Sequence, residues 1–303
     1  MSKHILLTGG TGLLGTKLTR LLLAKGYSVS HLSRTFNNND SRVQTYLWDV
    51  HAGQIDEHAI NGVDIIIHLA GAGVAEERWT DKRKKEIIES RTKSIGLIYK
   101  LLKRKEHTVT KIISASGSGY YGDRGDELLT ETSAPGTDFL ASVCLQWEHA
   151  VDAGESLGLQ LLKFRTGVVL DAKGGALAKL AAPIKFGIGS PLGTGKQWVP
   201  WIHEEDVIDM YLYGIENEDL TGVYNMVAPN PVTNKQLTQA IAKELHRPLL
   251  LPKVPAFALQ LLLGEMSTIV LGGTKVSAQK IEDAGFKFKY PTLTWALKEI
   301  YKK

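Results

Sequence analysis

The chain has one cysteine, Cys144, in 303 residues. A lone thiol closes no intramolecular disulfide and supplies no cysteine cluster for a metal, so none is expected. Long apolar runs are missing too. The most apolar late stretch, Phe257 to Leu263, is far too short to span a bilayer. There is no strong excess of either charge: 36 basic and 32 acidic residues leave a net +4. No basic stripe interleaved with aromatics accompanies it, so nucleic acid is not an expected partner. No repeat or low-complexity tract interrupts the chain. The first strand begins almost at once after Met1, leaving no room for a signal peptide. The expectation is a cytoplasmic protein with no membrane among its partners, and with 43% hydrophobic residues it has material for one large or two modest domains.

What is present is punctuated by glycine. The apolar run Ile5 to Leu7 leads into Thr8-Gly9-Gly10-Thr11-Gly12-Leu13-Leu14-Gly15, after which Leu14, Leu18, Leu21 and Leu22 recur at helical spacing. A strand therefore turns directly into a helix. Gly9 permits the tight turn, Gly12 leaves room for a pyrophosphate, and Gly15 lets helix and strand pack closely. The amides of the first helical turn, at Leu13 and Leu14, would face the phosphate oxygens. The Gly-x-x-Gly-x-x-Gly spacing resembles the short-chain dehydrogenase/reductase superfamily, especially its extended, epimerase-like members.

Further strands are expected at Tyr27–Leu32, Tyr46–Asp49, Val63–Leu69, Ile112–Ile113 and Gln160–Arg165, alternating with helices at 80–105 and 138–157. That alternation predicts an α/β fold: a Rossmann-like, doubly wound parallel sheet. Ser33-Arg34 ends the second strand with no nearby carboxylate before Asp40. An arginine there favours a ribose 2′-phosphate and hence NADP(H); the alternative is a solvated arginine in the polar loop Asn37–Asp40. Asp49 either faces the adenine or caps the next turn. Small residues Ala70-Gly71 after the fourth strand let backbone lie against a cofactor. On the long helix Ile88, Ile95, Ile98 and Leu102 form the expected buried stripe, and Lys82-Arg83-Lys84-Lys85 a solvated face.

After Val169 the alternation fails. Lys173–Gly175 reads as loop, and 187–195 is glycine-rich. Trp198, Trp201 and His203, beside prolines, suit an aromatic substrate wall, with a packed loop around a core histidine as the alternative. Arg165, ending the sixth strand, joins them as a candidate substrate contact. Glu204–Ile215 reads as a helix and Tyr224–Val227 as a strand. The expected division is a dinucleotide domain over 1–168, rejoined by 204–228, and a smaller, mainly helical C-terminal substrate domain over 169–203 and 229–303.

Short-chain dehydrogenases place Tyr-x-x-x-Lys on the helix after the fifth strand, where the lysine and the cofactor lower the tyrosine pKa. The one Tyr-x-x-x-Lys here, Tyr99 to Lys103, lies on the preceding helix among packing residues. Counting back from Glu148 puts Cys144 at the lysine position and Leu140 at the tyrosine position. The loop Ser116-Gly117-Ser118-Gly119-Tyr120-Tyr121-Gly122 remains as a source of polar groups.

Several motifs together resemble one atypical epimerase-like subfamily, labelled sugar-nucleotide epimerase or cell-division-inhibitor-like. They are Arg78-Trp79-Thr80, Gly119-Tyr120-Tyr121-Gly122, Asp138-Phe139-Leu140-Ala141 with Trp147-Glu148, and Gly195-Lys196-Gln197 leading to Trp201-Ile202-His203. Val254-Pro255-Ala256-Phe257 and Leu263-Gly264-Glu265 resemble its C-terminal domain of unknown function. The resemblance spans nearly the whole chain. It implies cofactor contacts at Ser33, Arg34, Leu69, Ala70, Glu86, Arg91 and Val169, loss of Tyr-x-x-x-Lys, and a homodimer packed through the 80–105 and 138–157 helices. Two functions stay open. One is an oxidoreductase or epimerase acting on a small carbonyl or hydroxyl substrate, with Tyr120 or Tyr121 giving the proton and Ser116 or Ser118 holding the substrate oxygen. The other is a non-catalytic NADP(H)-binding module.

Overall fold

The computed structural model describes residues 2–36 and 40–302; the loop residues Asn37 to Asn39, invoked above beside Arg34, lie outside it. The central strand is β1 (His4–Thr8). To one side lie β2 (Ser28–Ser33), β3 (Val43–Asp49) and the two-residue β4 (Gln54–Ile55). To the other lie β5 (Ile65–His68), β6 (Lys111–Gly117), β8 (Gln160–Thr166) and β12 (Gly222–Met226). Every neighbouring pair is parallel except β3 with β4. The chain winds outward from β1 to β3, then crosses back to place β5 on the other side of β1. The carboxyl ends of β1 and β5 thus border the switch point, where ligands bind in sheets of this kind.

Both faces are covered, and the residues of β1 divide between them. Ile5 and Leu7 pack with Leu18 and Leu22 of α1 (Leu13–Ala24) and with Val207, Met210 and Tyr211 of α5 (Glu204–Glu216). Leu6 faces the opposite layer, with Ile95, Ile98 and Leu102 of α2 (Asp81–Arg104) and Trp147 of α3 (Phe139–Asp152). The α2 stripe takes in Ile87, fully buried, rather than the half-buried Ile88. It includes two cations, Arg83 and Arg91. Arg83 therefore departs from the solvated face expected of the basic run. It turns inward because Gly73 O and the carboxylates of Glu76 and Glu86 meet its guanidinium.

A third core joins α4 (Gly175–Lys185), α6 (Asn234–Glu244) and α10 (Leu293–Ile300) around Leu177, Ala181, Trp201, Ile241 and Leu297. Helix α4 was not expected. Its glycine start and internal Pro183 hide it, but Leu177, Ala181 and Ile184 share one buried face. Short strand pairs stitch the units together: β9 (Val168–Leu170) with β11 (Trp201–His203), β10 (Trp198–Val199) with β13 (Val232–Thr233), and β7 (Leu128–Leu129) with β14 (Lys275–Val276). Between α6 and α10 run α7 (Ala256–Leu263), α8 (Thr268–Leu271) and α9 (Gln279–Asp283). Val276, Ile281 and Phe286 of this tail enter the core of the main sheet.

Candidate nucleotide site and its polar neighbours

The glycine turn forms as a close-packed knot. Gly9 adopts φ +71°, and a Cβ there would stand 3.1 Å from Leu69 C. A Cβ on Gly15 would lie 2.2 Å from Gly9 O, so no side chain fits. At Gly10, outside the spaced triplet, a Cβ would fall 2.4 Å from Nε2 of the buried His31 side chain, which would have to move. Thr8 Oγ1 accepts the amides of Leu69 and Ala70, each at 3.1 Å, clamping the ends of β1 and β5 together. Helix α1 starts with Gly12 as its N-cap, no capping side chain and no acid in its first turn. Side chains cap α2, α3, α5 and α6, whereas α1 shares an uncapped start with α4, α7, α8, α9 and α10. The first amides of α1, at Leu13 and Leu14, are thus left for an external acceptor. The half-exposed Leu13 side chain points towards Gly174.

Arg91 supplies a positive charge beside this crevice. Its side chain lies so close to Gly71 that a Cβ there would meet Cζ at 2.9 Å, and its guanidinium sits 4.9 Å above the Trp147 ring. Arg91 is buried; one terminal nitrogen donates to Ile87 O at 2.8 Å, while Nε has no partner. No carboxylate pairs with it among the described residues, and burial lowers its pKa. A buried cation without a counterion is costly unless a bound anion completes it. Glu86 is held by Arg83 at 2.9 Å. Ser33 and Arg34 lie at the carboxyl end of β2, with Arg34 exposed. Val169 pairs with Ile202. Asp49 is a turn cap: its Oδ1 accepts the amides of His51 and Ala52, and it is exposed.

The expected catalytic loop divides in two. Strand β6 runs to Gly117, and Ser118–Tyr121 form a 3-10 turn. Tyr121 is fully buried; its hydroxyl donates to Asn225 Oδ1 at 2.6 Å and accepts from Arg165 at 3.1 Å. Burial pushes its pKa up to about 12. Ser116 is buried and donates to Glu148 Oε1 at 2.7 Å. Neither Tyr121 nor Ser116 is presented to a substrate. Both belong to a polar core whose centre is Arg165, paired with Glu148 by two bonds of 2.8 Å and donating to Glu131 O. The expectation of Arg165 as a substrate contact is corrected for the same reason: Glu148, Tyr121 and Glu131 engage it. A buried arginine at the end of β8 needs such a carboxylate, and Glu148 on the buried face of α3 was the available signal.

Tyr120 and Ser118 remain. Tyr120 is half-buried, with the Arg165 guanidinium 3.3 Å from its ring centroid. Neither its hydroxyl nor that of Ser118 has a hydrogen-bond partner among the described residues. At the positions where the superfamily has tyrosine and lysine, Leu140 packs towards Gly119 and Cys144 lies buried beside Gly117. Burial drives the Cys144 thiol up to about 12, so it supplies neither cation nor thiolate. Tyr99 is a packing residue, its hydroxyl donating to Val151 O at 2.7 Å.

The aromatic wall is mostly interior. Trp201 is fully buried and donates to Asn230 O. His203 is also buried: Nδ1 accepts the Glu205 amide as the N-cap of α5, and its ring lies 3.9 Å from that of Tyr290. Both are therefore corrected to interior residues, because Trp201 is part of the third core and His203 caps α5 against Tyr290, its Nε2 buried without a partner among the described residues. Trp198 alone keeps partial exposure, its indole donating to Asp126.

A doubly wound sheet, a glycine knot at its switch point and an unpaired buried arginine define a dinucleotide-binding protein of the short-chain dehydrogenase type. Residues 5–226 match the NAD dependent epimerase/dehydratase family, and the chain belongs to it. Residues 254–300 match a domain of unknown function, DUF1731. The epimerase family protein YfhF of Bacillus subtilis is 37% identical over 298 residues, covering 98% of this chain and 97% of that one. The human epimerase family protein SDR39U1 (isoform 2), crystallised with NADPH, is 29% identical with a TM-score of 0.86, covering 99% of both chains. A nucleoside-diphosphate sugar epimerase from Corynebacterium glutamicum is 30% identical with a TM-score of 0.80, covering 99% of this chain and 58% of that one.

Proposed function

We propose that the protein is an NADP(H)-dependent oxidoreductase or epimerase acting on a small carbonyl or hydroxyl compound. The observation that carries the cofactor assignment is Arg91, a buried guanidinium with an unfilled Nε beside the glycine knot. The residues fit the dinucleotide. Gly9 to Gly15, with the Leu13 and Leu14 amides, hold the pyrophosphate. Ser33 and Arg34 hold the 2′-phosphate. Leu69, Ala70, Gly71, Glu86, Arg91 and Val169 line the crevice beyond. NADPH in the human relative supports the phosphorylated form.

When bound, the reduced cofactor supplies hydride. Tyr120 gives the proton to the substrate oxygen, and Ser118 orients that oxygen; these are the two polar groups of the loop that the buried network leaves free. The Corynebacterium relative makes nucleoside-diphosphate sugars the first substrate class to assay. A cytoplasmic homodimer completes the proposal.

Titration of cofactor fluorescence tests the first part. Arg91→Met is expected to weaken NADPH binding by about tenfold or more, the worth of one charged hydrogen bond; unchanged affinity would remove the assignment. For chemistry, NADPH oxidation is followed against a carbonyl panel in wild type and Tyr120→Phe, and equal turnover in the two sinks the role of Tyr120. The second reading, a binding module without turnover, is favoured by Leu140 and Cys144 in place of the superfamily pair. It requires NADPH binding with no oxidation against any substrate.

A further inference from the structure

Helix α7 is unlike the other long helices. Of its eight residues only Leu259 is buried, while Phe257, Leu261 and Leu262 are 71%, 82% and 68% exposed. Phe186 and Ile188, following α4, and Leu250 are also exposed. These residues share one side of the molecule. Ser190 Oγ hydrogen-bonds to Pro252 O at 2.5 Å, and Leu192 bridges to Val254, so the Phe186 segment lies along the Leu250 segment. Lys179 of α4 donates to Ala75 O, and Arg78 donates to the carbonyls of Leu261 and Leu262, so α4 and α7 flank the same loop. A cluster of exposed large apolar side chains on a folded surface marks an interaction site.

Its charge is mainly basic. No carboxylate occurs between Asp171 and Glu204 or between Glu244 and Glu265. Those same two stretches carry Lys173, Lys179, Lys185, Lys196, Arg247 and Lys253. Acids stand on it too: Glu76, paired with Arg83, and Glu77 lie in the loop that α4 and α7 flank, and Glu265, paired with Lys84, follows α7. A second copy meeting this face through a twofold axis would set lysine against lysine. The apolar side chains protrude from two helix ends and a loop; Lys185 beside Phe186 and Arg247 near Leu250 are exposed cations whose stems can lie on apolar surface while their heads reach a phosphate layer, whereas Lys179 and Lys253 donate to Ala75 O and Thr194 O. We infer that this α4–α7 face docks on an anionic lipid bilayer, with Phe257, Leu261 and Leu262 entering the interface and the lysines meeting the headgroups.

The full chain is sedimented with vesicles of phosphatidylcholine alone and of phosphatidylcholine mixed with phosphatidylglycerol. Binding to the anionic vesicles at low salt, weak binding to the neutral ones and release at high salt are expected. Leu261→Glu with Leu262→Glu removes binding, and Lys185→Glu with Arg247→Glu weakens it by about tenfold or more, since each cation near the surface contributes on the order of a fewfold to tenfold. Both pairs are exposed, and unchanged thermal melting and NADPH affinity establish that the variants are folded. Failure to bind anionic vesicles overturns the inference, as does binding that survives the Leu261/Leu262 pair of substitutions. So does concentration-dependent self-association that this pair abolishes, which would make the face a protein interface.

Discussion

At the scale of single residues, burial separates two tyrosines that are adjacent in sequence. Tyr121 spends its hydroxyl on Asn225 and Arg165, whereas Tyr120 offers only its ring to Arg165. Tyr121→Phe is therefore expected to cost about 1–3 kcal/mol of stability, because buried partners lose their bond, while NADPH affinity is kept. Chemical denaturation alongside a cofactor titration measures both, and a loss of affinity without a loss of stability contradicts it. Arg34 behaves differently. It is exposed, so Arg34→Ala should leave stability unchanged and bring NADPH affinity down towards that of NADH; an unaltered preference in paired titrations removes the 2′-phosphate assignment. The sequence showed Gly9, Gly12 and Gly15 clearly, because three glycines between an apolar run and a helical pattern have few alternatives. It did not show the burial of Ser116, Tyr121 or Arg165. That depends on Glu148 and Asn225, which are distant in sequence and reach the same interior only in the folded chain.

At the scale of elements, the knot that joins β1 to α1 is the part most intolerant of change. A methyl at Gly15 would meet the Gly9 carbonyl, so Gly15→Ala must shift α1 away from β1. The expected result is a lower melting temperature together with weakened NADPH binding; a variant with wild-type values for both would show that the turn relaxes freely. Long amphipathic helices were legible, since Ile95, Ile98 and Leu102 repeat at helical spacing. Their phase was less so. The true stripe of α2 runs through Arg83, Ile87 and Arg91, and a reading by hydrophobicity passes over cations whose partners are backbone carbonyls, distant carboxylates or a ligand. Helix α4 escaped for a related reason: glycine and proline mask it, and its support comes from a core built by α6 and α10.

At the scale of the whole molecule, acid should open the structure through its buried histidines. Burial holds His203 at about 4 and His68 at about 3, both below the ordinary value of 6.5. The unfolded chain therefore takes up protons first as pH falls below 6.5. Their contribution to stability is complete above 6.5 and is lost on the way down to about 4 and 3. Asp206, raised to about 6 by burial, acts in the opposite direction, since the folded state holds its proton between 6 and the ordinary 3.8. His203→Asn keeps an α5 cap but removes a titrating group. It should flatten the fall in stability between pH 6.5 and 4; melting curves as steep with pH as those of wild type refute this.

The sequence alone determined the class of fold and the glycine turn that joins β1 to α1. Strand, glycine turn and helix are local features, and backbone sterics act between near neighbours. It also determined that the usual tyrosine and lysine are missing, because that needs only spacing along one helix. The tertiary structure decided which polar groups are free. Glu148 claims Ser116 and Arg165, and Asn225 claims Tyr121. Trp201 and His203 turn into the core, while Arg91 is left buried without a counterion among the described residues. Whether a side chain is satisfied depends on partners brought together by the crossing of the sheet and the return of β12, and spacing along the chain carries no measure of that.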